Sequence, residues 1–261
     1  MAQPPPSQPG QALRRNALVA GAAGRLGEAV LSEVLAAPRY RHTTVLTTGP
    51  LGSTHAGLEG MPFEQLRALA ATEPPATDAS GVASRPELDV VVIWGDAADP
   101  FGRSHNRRDA VYAVIQDTQE LRAVAAAACH LRARRLLLVA PLLAWQQVSA
   151  AGRMLPEAME MELARLPIPT IIIMRPTSET VGRAVSGGNR LQRFARFYLS
   201  QLRFMLPAVT QTLRSTEIAR AAVSLLADAQ APGLAVVALE EIRHHAGKPR
   251  TGTAAPWARK Q

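Results

Sequence analysis

The sequence predicts an α/β fold, a doubly wound and mainly parallel sheet flanked by helices. Short apolar runs of strand length alternate along the chain with segments of helical periodicity. These runs are rich in β-branched residues or leucine and show no clean alternation, which is typical of parallel strands buried on both faces. Aromatic residues make up 4% of the 261 residues, so the core is expected to be aliphatic.

Seven strands and three long helices are predicted. The strands are expected at residues 16–20, 43–48, within 61–66, 88–95, 135–140, 169–174 and 234–239, the third with the weakest pattern. Helices are expected at 26–35, 109–131 and 216–229, the last of them capped by Thr216, and residues 71–86 are expected to form a loop. Because the chain shows no internal repeat and no second core, one sheet is the economical arrangement.

Two terminal tails are expected to flank this domain. Residues 1–14 are Pro-rich and residues 247–261 are basic, and neither has hydrophobic periodicity, so both are predicted to be disordered around a domain at 15–246. The N-terminus lacks the apolar segment of a secretory signal, and no apolar run reaches the roughly 18 residues of a membrane span. A cytoplasmic location is therefore expected.

The net charge of +8 is concentrated at the two ends. Six positive charges lie within residues 1–15 and 247–261, which contain no acidic residue, and the body between them carries +2. Clustered lysines and arginines are the electrostatic footprint of phosphate binding, and a nearly neutral domain with basic tails argues against a nucleic-acid partner. The single cysteine, Cys129, lies in an apolar run and is expected to be a buried, unreactive thiol.

A glycine-rich turn between the first strand and the first helix is the main functional motif. Residues 21–27 read Gly-Ala-Ala-Gly-Arg-Leu-Gly. In a dinucleotide-binding turn, glycines permit the tight bend, let the backbone approach the pyrophosphate and let the helix pack on the strand. A glycine turn in a Rossmann-type fold that has lost its ligand is the alternative. Arg25 either contacts a phosphate or is a solvated residue of the first helical turn.

The end of the second strand bears on the choice between NAD and NADP. NAD-preferring sites commonly place an acidic residue there to hold the ribose hydroxyls, and this chain has Thr47, Thr48 and Gly49. No arginine stands there for a 2′-phosphate, but Arg25 is available for that role. The sequence leans slightly towards NADP and leaves NAD open.

The order and spacing of several segments resemble the atypical short-chain dehydrogenases/reductases. The resemblance is to the NAD(P)H-binding group that includes the Tat-interacting-protein-like oxidoreductases, and it covers most of residues 16–246. It is carried by residues 21–27, 88–95, 138–140, 174–176 and 217–221. It implies a Rossmann fold with a small substrate-side region near the C-terminus. The cofactor-binding residues predicted from the motif and the resemblance are Gly21, Ala23, Gly24, Arg25, Leu26, Gly27, Thr48, Gly95 and Pro176.

The catalytic residues of that family are missing. Its chemistry depends on a Tyr-x-x-x-Lys pair and a serine after the fifth strand, whose positions fall here near Gly152, Pro156 and Ala140. The two lysines, Lys248 and Lys260, both lie in the C-terminal tail, so no shift of alignment restores the pair. No catalytic residue is assigned on this basis.

Other polar segments are weaker candidates. The loop after the fourth strand contains Asp96, Asp99 and His105, which read either as an acid or base at the crevice or as an ordinary polar turn. Residues 189–199 combine arginines with aromatics and are expected to form a helix over the substrate side or at a dimer contact. The acidic residues of 157–162 are expected to form a solvated helix face. Adjacent His244 and His245 would point apart on a helix, so no metal site is expected.

Three functions remain open on sequence alone. The first is a dinucleotide-binding protein without standard reductase chemistry, acting as a sensor, regulator or assembly partner. The second is an NAD(P)H-dependent oxidoreductase with a non-standard proton donor such as His105. The third is a ligand-free scaffold that acts through protein partners. A small-molecule substrate and a homodimer are left open in each case.

Overall fold

The computed structural model describes residues 15–52, 56–72, 87–95, 111–143, 155–178, 213–229 and 231–247. Nine strands and six helices lie within these ranges. In chain order they are β1 (Arg15–Ala20), α1 (Gly24–Ala36), β2 (Tyr40–Thr47), β3 (Leu58–Pro62), α2 (Phe63–Ala71), β4 (Leu88–Ile93), α3 (Thr118–His130), β5 (Arg135–Val139), β6 (Leu142–Leu143), α4 (Glu157–Ala164), β7 (Thr170–Met174), β8 (Thr177–Ser178), α5 (Ser215–Asp228), β9 (Gly233–Val237) and α6 (Leu239–Gly247). None of the described helices is long and apolar enough to cross a membrane.

Seven of the strands form one parallel sheet in the order β3-β2-β1-β4-β5-β7-β9. The short strands β6 and β8 pair with each other as a separate two-stranded sheet. The chain winds outwards from β1 in one direction to β3 and then in the other direction from β4 to β9. This is the Rossmann-type α/β fold, and the predicted fold class is confirmed.

The central strands are apolar on both faces because each face is covered by helices. Residues of β1 alternate between two buried clusters, with Ala17 and Val19 in the one that includes α1, α5 and α6, and Leu18 and Ala20 in the one that includes α3 and α4. Burying a Leu or Ile side chain contributes roughly 1.5–3 kcal/mol, so the paired clusters supply most of the driving force for folding. The buried residues of both clusters are almost all aliphatic, as expected from the low aromatic content.

Two predicted elements were placed wrongly in the first half of the chain. The third strand was expected within 61–66, but β3 ends at Pro62 and Phe63 already begins α2. The second long helix was expected from residue 109, but residues 112–117 are not helical and α3 begins at Thr118. Asp117 caps this helix, because its carboxylate accepts the Glu120 N–H at 2.8 Å.

The C-terminal elements also differ from the expectation. Thr216 is not the cap of α5, since the helix begins at Ser215 and the Glu217 carboxylate accepts the backbone N–H of Arg214 at 2.8 Å. The last strand spans 233–237 rather than 234–239, and Leu239 begins the unpredicted helix α6. That helix ends at Gly247, one residue inside the expected tail.

A buried polar cluster lies at the amino edge of the sheet, opposite the carboxyl ends of the strands. Asp89 is fully buried and accepts a hydrogen bond from the Tyr40 hydroxyl at 3.1 Å. Its carboxylate lies 3.7 Å from Arg15 and 3.8 Å from Arg135, and Arg15 also pairs with Glu87 at 2.8 Å. Arg15 was counted among the positive charges of the two chain ends, but it is the first residue of β1.

Burial dominates the ionisation of this cluster. It raises the pKa of Asp89 from 3.8 to about 6, while Arg15 and the hydrogen bond from Tyr40 act in the opposite direction. It also raises the pKa of the Tyr40 hydroxyl above its ordinary range. One oxygen of Asp89 and the Nη1 atom of Arg135 are buried without a hydrogen-bond partner, which keeps the charged form of the cluster costly.

This cluster makes stability depend on pH. Between about pH 4 and 6 the folded protein binds more protons at Asp89 than the unfolded chain does, so the contribution of this group to the free energy of unfolding falls as pH rises, by up to about 3 kcal/mol. Urea unfolding of the native protein and of Asp89→Asn at pH 4, 5, 6 and 7 isolates the effect. As pH rises, the free energy of unfolding of the native protein should fall relative to that of Asp89→Asn. If the difference between the two proteins stays constant or changes in the opposite direction, the arginines balance or outweigh the effect of burial on the pKa of Asp89.

Candidate functional site

The candidate site lies at the carboxyl edge of the sheet, where β1 is flanked by β2 and β4. Crossovers leave this point in opposite directions, which opens the crevice where ligands bind in doubly wound sheets. The residues predicted to bind a cofactor all follow strands at this edge: Gly21, Ala23, Gly24, Arg25, Leu26 and Gly27 come after β1, Thr48 after β2, Gly95 after β4 and Pro176 after β7. Pro176 is three strands from β1, roughly 14 Å at the usual strand spacing, so it is not brought next to the turn.

The glycines of the turn are required by its packing. Gly21 has φ +82°, and a Cβ there would lie 2.3 Å from the Ile93 carbonyl oxygen at the end of β4. A Cβ on Gly27 would lie 2.4 Å from the Gly21 carbonyl oxygen, because the first turn of α1 rests on the loop. Gly24 opens α1 with φ +77°, a backbone conformation that favours glycine. The turn therefore brings the start of α1 against the ends of both β1 and β4.

The N-terminus of α1 is suited to an anion. The helix dipole places partial positive charge at this end, and the first turn contains no acidic residue. Ala23 is the N-cap and its side chain makes no capping hydrogen bond. Arg25 is exposed in the first turn, where its charge opposes the dipole and does not help the helix. A phosphate beside this end would be favoured by both charges.

A segment of the chain that sequence analysis assigned to a helix instead crosses the carboxyl edge of the sheet. The backbone N–H and the hydroxyl of Thr48 both donate to the Val111 carbonyl, at 2.7 and 3.3 Å. The Ala113 N–H donates to Leu46 at 2.9 Å, and the Gly95 N–H donates to Ile115 at 2.9 Å. Residues 111–115 thus link the ends of β2 and β4 beyond the point where β1 stops.

A hollow of about 560 Å³ opens beside this segment. The described residues that line it are Thr48, Val114, Gln116, Asp117 and Glu120. The two carboxylates are held by the α3 capping box, in which one Glu120 oxygen accepts the N–H groups of Gln116 at 2.7 Å and Asp117 at 3.3 Å. Sequence analysis missed these two acids, although Asp117-Thr-Gln-Glu120 has the spacing of a capping box.

Two of the three positions that the resemblance assigns to catalytic residues of short-chain dehydrogenases lie among the described residues. Ala140, at the position of the serine, is buried, and its N–H donates to the Met174 carbonyl at 2.8 Å. Pro156, at the position of the lysine, is the N-cap of α4. Gly152 lies outside the described residues, as do Asp96, Asp99, His105 and the segment 189–199.

The acidic face of α4 is only partly solvated, which corrects the sequence expectation. Glu157 is exposed, but the Glu160 carboxylate is bound by Arg175, which follows β7. Glu162 accepts hydrogen bonds from Arg122 Nε on both of its oxygens at 2.9 Å. These two pairs attach α4 to β7 and to α3.

Among the described residues, no group of three or more His, Cys, Asp or Glu side chains is placed to hold a metal ion. His244 is exposed, while His245 is buried and lies 2.9 Å from the Ser224 hydroxyl through Nδ1. The two imidazole rings nevertheless lie edge to face with their centroids 5.8 Å apart, so the expectation that they point apart is wrong. Cys129 is half-buried rather than buried as expected, and this partial burial raises the pKa of its thiol, which disfavours the reactive thiolate.

Comparison with known proteins gives distant similarities only. The sequence matches no protein-family model and no curated protein. Similar solved structures include a nucleoside-diphosphate-sugar epimerase from Staphylococcus aureus, at 14% identity over 85% of this chain and 70% of that one with a TM-score of 0.47. Another is a short chain dehydrogenase from Burkholderia cenocepacia in complex with NADP, at 14% identity over 88% and 91% with a TM-score of 0.44. A third is the Bordetella bronchiseptica enzyme WbmF in complex with NADH, at 11% identity over 90% and 76% with a TM-score of 0.43. Similarities at this level carry no argument about function, and the fold assignment rests on the strand order.

The close contact at Gly21 predicts a large loss of stability on substitution. Gly21→Ala adds a methyl group at 2.3 Å from a backbone oxygen and forces an L side chain to positive φ, so the free energy of unfolding should fall by about 2–5 kcal/mol in urea denaturation. Gly49→Ala is the matched control, since nothing lies within 4 Å of its added Cβ, and it should change stability by less than about 0.5 kcal/mol. Equal effects of the two variants would contradict the packing described for the turn.

Proposed function

We propose that this chain binds a nicotinamide dinucleotide at the carboxyl edge of its sheet, with the pyrophosphate at the N-terminus of α1. The observation that carries the proposal is the position of the 21–27 turn, which starts α1 at the crevice between β2 and β4. Rossmann-type sheets bind dinucleotides at this point. The turn fits the group because the helix end offers positive partial charge without a competing acid.

The residues of the turn and of the neighbouring strand ends have different roles in this proposal. Gly21 and Gly27 hold the turn in its tight conformation, and Gly24 keeps side-chain atoms away from the phosphates. Arg25 supplies a positive charge beside the pyrophosphate. Thr48 and the hollow next to it receive the adenosine half, and Gly95 lies on the side of β4. When bound, the dinucleotide supplies a hydride donor or acceptor.

The proposal does not include the carbonyl-reductase chemistry of short-chain dehydrogenases. That chemistry needs a tyrosine acid whose pKa is lowered by a neighbouring lysine, and the chain has no Tyr-x-x-x-Lys anywhere. Ala140 and Pro156 stand where a serine and the lysine would be needed. We therefore propose a binding function, as a sensor, regulator or assembly partner that responds to the dinucleotide.

A charge reversal at Arg25 tests the binding site. By calorimetry, the native protein should bind NADH or NADPH, and Arg25→Glu should weaken binding at least about tenfold, which corresponds to ~1.4 kcal/mol. The fold should be retained, because a glutamate in the first turn of α1 interacts favourably with the helix dipole, by roughly 0.3–1 kcal/mol. Loss of affinity together with equal or higher stability would separate ligand binding from folding.

Arg41→Glu is the matched control for this experiment. Arg41 is also exposed but lies near the start of β2, towards the amino edge of the sheet, so the same change in net charge should leave affinity within about twofold. Two results would contradict the proposal. One is the absence of binding of either nucleotide to the native protein, which would favour the ligand-free scaffold. The other is an equal loss of affinity in both variants.

The absent tyrosine and lysine predict binding without turnover. Absorbance at the nicotinamide band should stay constant when the protein is mixed with NADH or NADPH and a panel of aldehydes, ketones and quinones. Steady oxidation of the nucleotide that is abolished by Arg25→Glu and spared by Arg41→Glu would refute a binding-only role. It would favour an oxidoreductase with a non-standard proton donor, and His105→Ala would then be the first variant to assay.

A further inference from the structure

The hollow beside Thr48 bears on whether the site accepts NAD(H) or NADP(H). Thr48 directly follows β2, and in doubly wound sheets the end of the second strand lies beside the adenosine ribose, whose 2′ position distinguishes NAD from NADP. The hollow of about 560 Å³ opens at this residue. Asp117 and Glu120, at the start of α3, also line it.

From this arrangement we infer that the site selects NAD(H) over NADP(H), with Asp117 and Glu120 as the selecting residues. The inference rests on the proposed dinucleotide binding. It assigns to α3 a role that an acidic residue at the end of β2 commonly has, because β2 here ends at Thr47 and is followed by Thr48 and Gly49. The structure supplies the carboxylates from a different element at the same edge of the sheet.

The two carboxylates are held in place before any ligand arrives. One Asp117 oxygen accepts the Glu120 N–H at 2.8 Å, and Glu120 Oε2 accepts the N–H groups of Gln116 and Asp117. These bonds use one oxygen of each carboxylate and leave the other as an acceptor for a ribose hydroxyl. A carboxylate fixed by a helix cap loses little conformational entropy on binding, which favours its use in recognition.

The charge balance of the hollow disfavours a phosphate. Among the described residues that line it, two are acidic and none is basic. A 2′-phosphate carries nearly two negative charges at neutral pH, and each close pair of like charges near a protein surface costs on the order of a few kcal/mol before screening. Ribose hydroxyls, in contrast, donate hydrogen bonds to carboxylates. The hollow therefore distinguishes the two nucleotides by charge and by hydrogen bonding.

Arg25 does not offset this preference. The sequence alone leaned towards NADP because Arg25 was the nearest cation available for a 2′-phosphate. In the structure Arg25 belongs to the first turn of α1 and does not line the hollow. Its charge is placed for the pyrophosphate, which both nucleotides share, so it favours them equally.

The experiment compares NADH and NADPH affinities of the full-length protein by calorimetry. The native protein should bind NADH at least tenfold more tightly than NADPH. The double variant Asp117→Asn/Glu120→Gln removes both charges but keeps the size of the side chains and their capping acceptors, so α3 should remain intact. This double variant should reduce the ratio of NADH affinity to NADPH affinity at least fivefold, mainly by strengthening NADPH binding. Raising the salt concentration should narrow the ratio of the native protein as well.

A second double variant controls for net charge. Glu33→Gln/Glu59→Gln also removes two negative charges, but Glu33 lies in α1 and Glu59 in β3, and neither lines the hollow. It should leave the ratio unchanged. Native affinities within threefold of each other, tighter NADPH binding, or equal shifts in both double variants would overturn the selectivity while leaving dinucleotide binding intact. Failure of the native protein to bind either nucleotide would overturn both.

Discussion

The close approach of Gly21 to the Ile93 carbonyl is the contact on which the arrangement of the site depends. The chain leaves β1 through a residue with φ +82° that has no room for a Cβ against the end of β4. Because Gly27 is packed just as closely on the same loop, the first turn of α1 has one place to lie, at the crevice between β2 and β4. The packing of three backbone segments thus positions a helix end where an anion can use it.

Charged side chains are buried at the amino edge of the sheet and exposed at the carboxyl edge. At the amino edge, Asp89 is buried among Tyr40, Arg15 and Arg135, and its ionisation is costly because burial outweighs its partners. At the carboxyl edge, the side chains of Arg25 and Asp117 are exposed, whereas Gly21, Ala23 and Gly27 of the turn are buried. The charged side chains of the carboxyl edge therefore stay hydrated, in contrast to Asp89 at the amino edge.

The sequence predicted the fold and the glycine turn because both depend on local pattern. Apolar runs such as residues 135–139 are buried on both faces in any parallel sheet, and a turn that must accept positive φ has few alternatives to glycine. The predicted start of a helix at residue 109 is wrong because the helical periodicity of α3 continues backwards into residues 111–115. The backbone of that segment instead makes hydrogen bonds to the ends of β2 and β4. Those bonds join residues distant in sequence, such as Thr48 and Val111, which are 63 positions apart, and no local pattern records them.

The acids of the hollow were missed for the same reason. Asp117 and Glu120 are recognisable in sequence as a capping box, but their position beside Thr48 follows from the crossing of residues 111–115 over the end of β1. The preference for NADP drawn from the sequence considered only the end of β2 and Arg25. A selecting residue that comes from another element is visible only once the sheet is assembled.

Binding of the dinucleotide at the carboxyl edge of the sheet can be mapped by titrating the isotopically labelled protein with NADH and following the backbone amide resonances by NMR. We expect saturable shifts concentrated at residues 21–27, 48–49 and 114–120, with Arg15, Asp89 and Arg135 at the amino edge unchanged. Shifts centred elsewhere, for example around Ser224 and His245, or no saturable shifts at millimolar NADH, would contradict it.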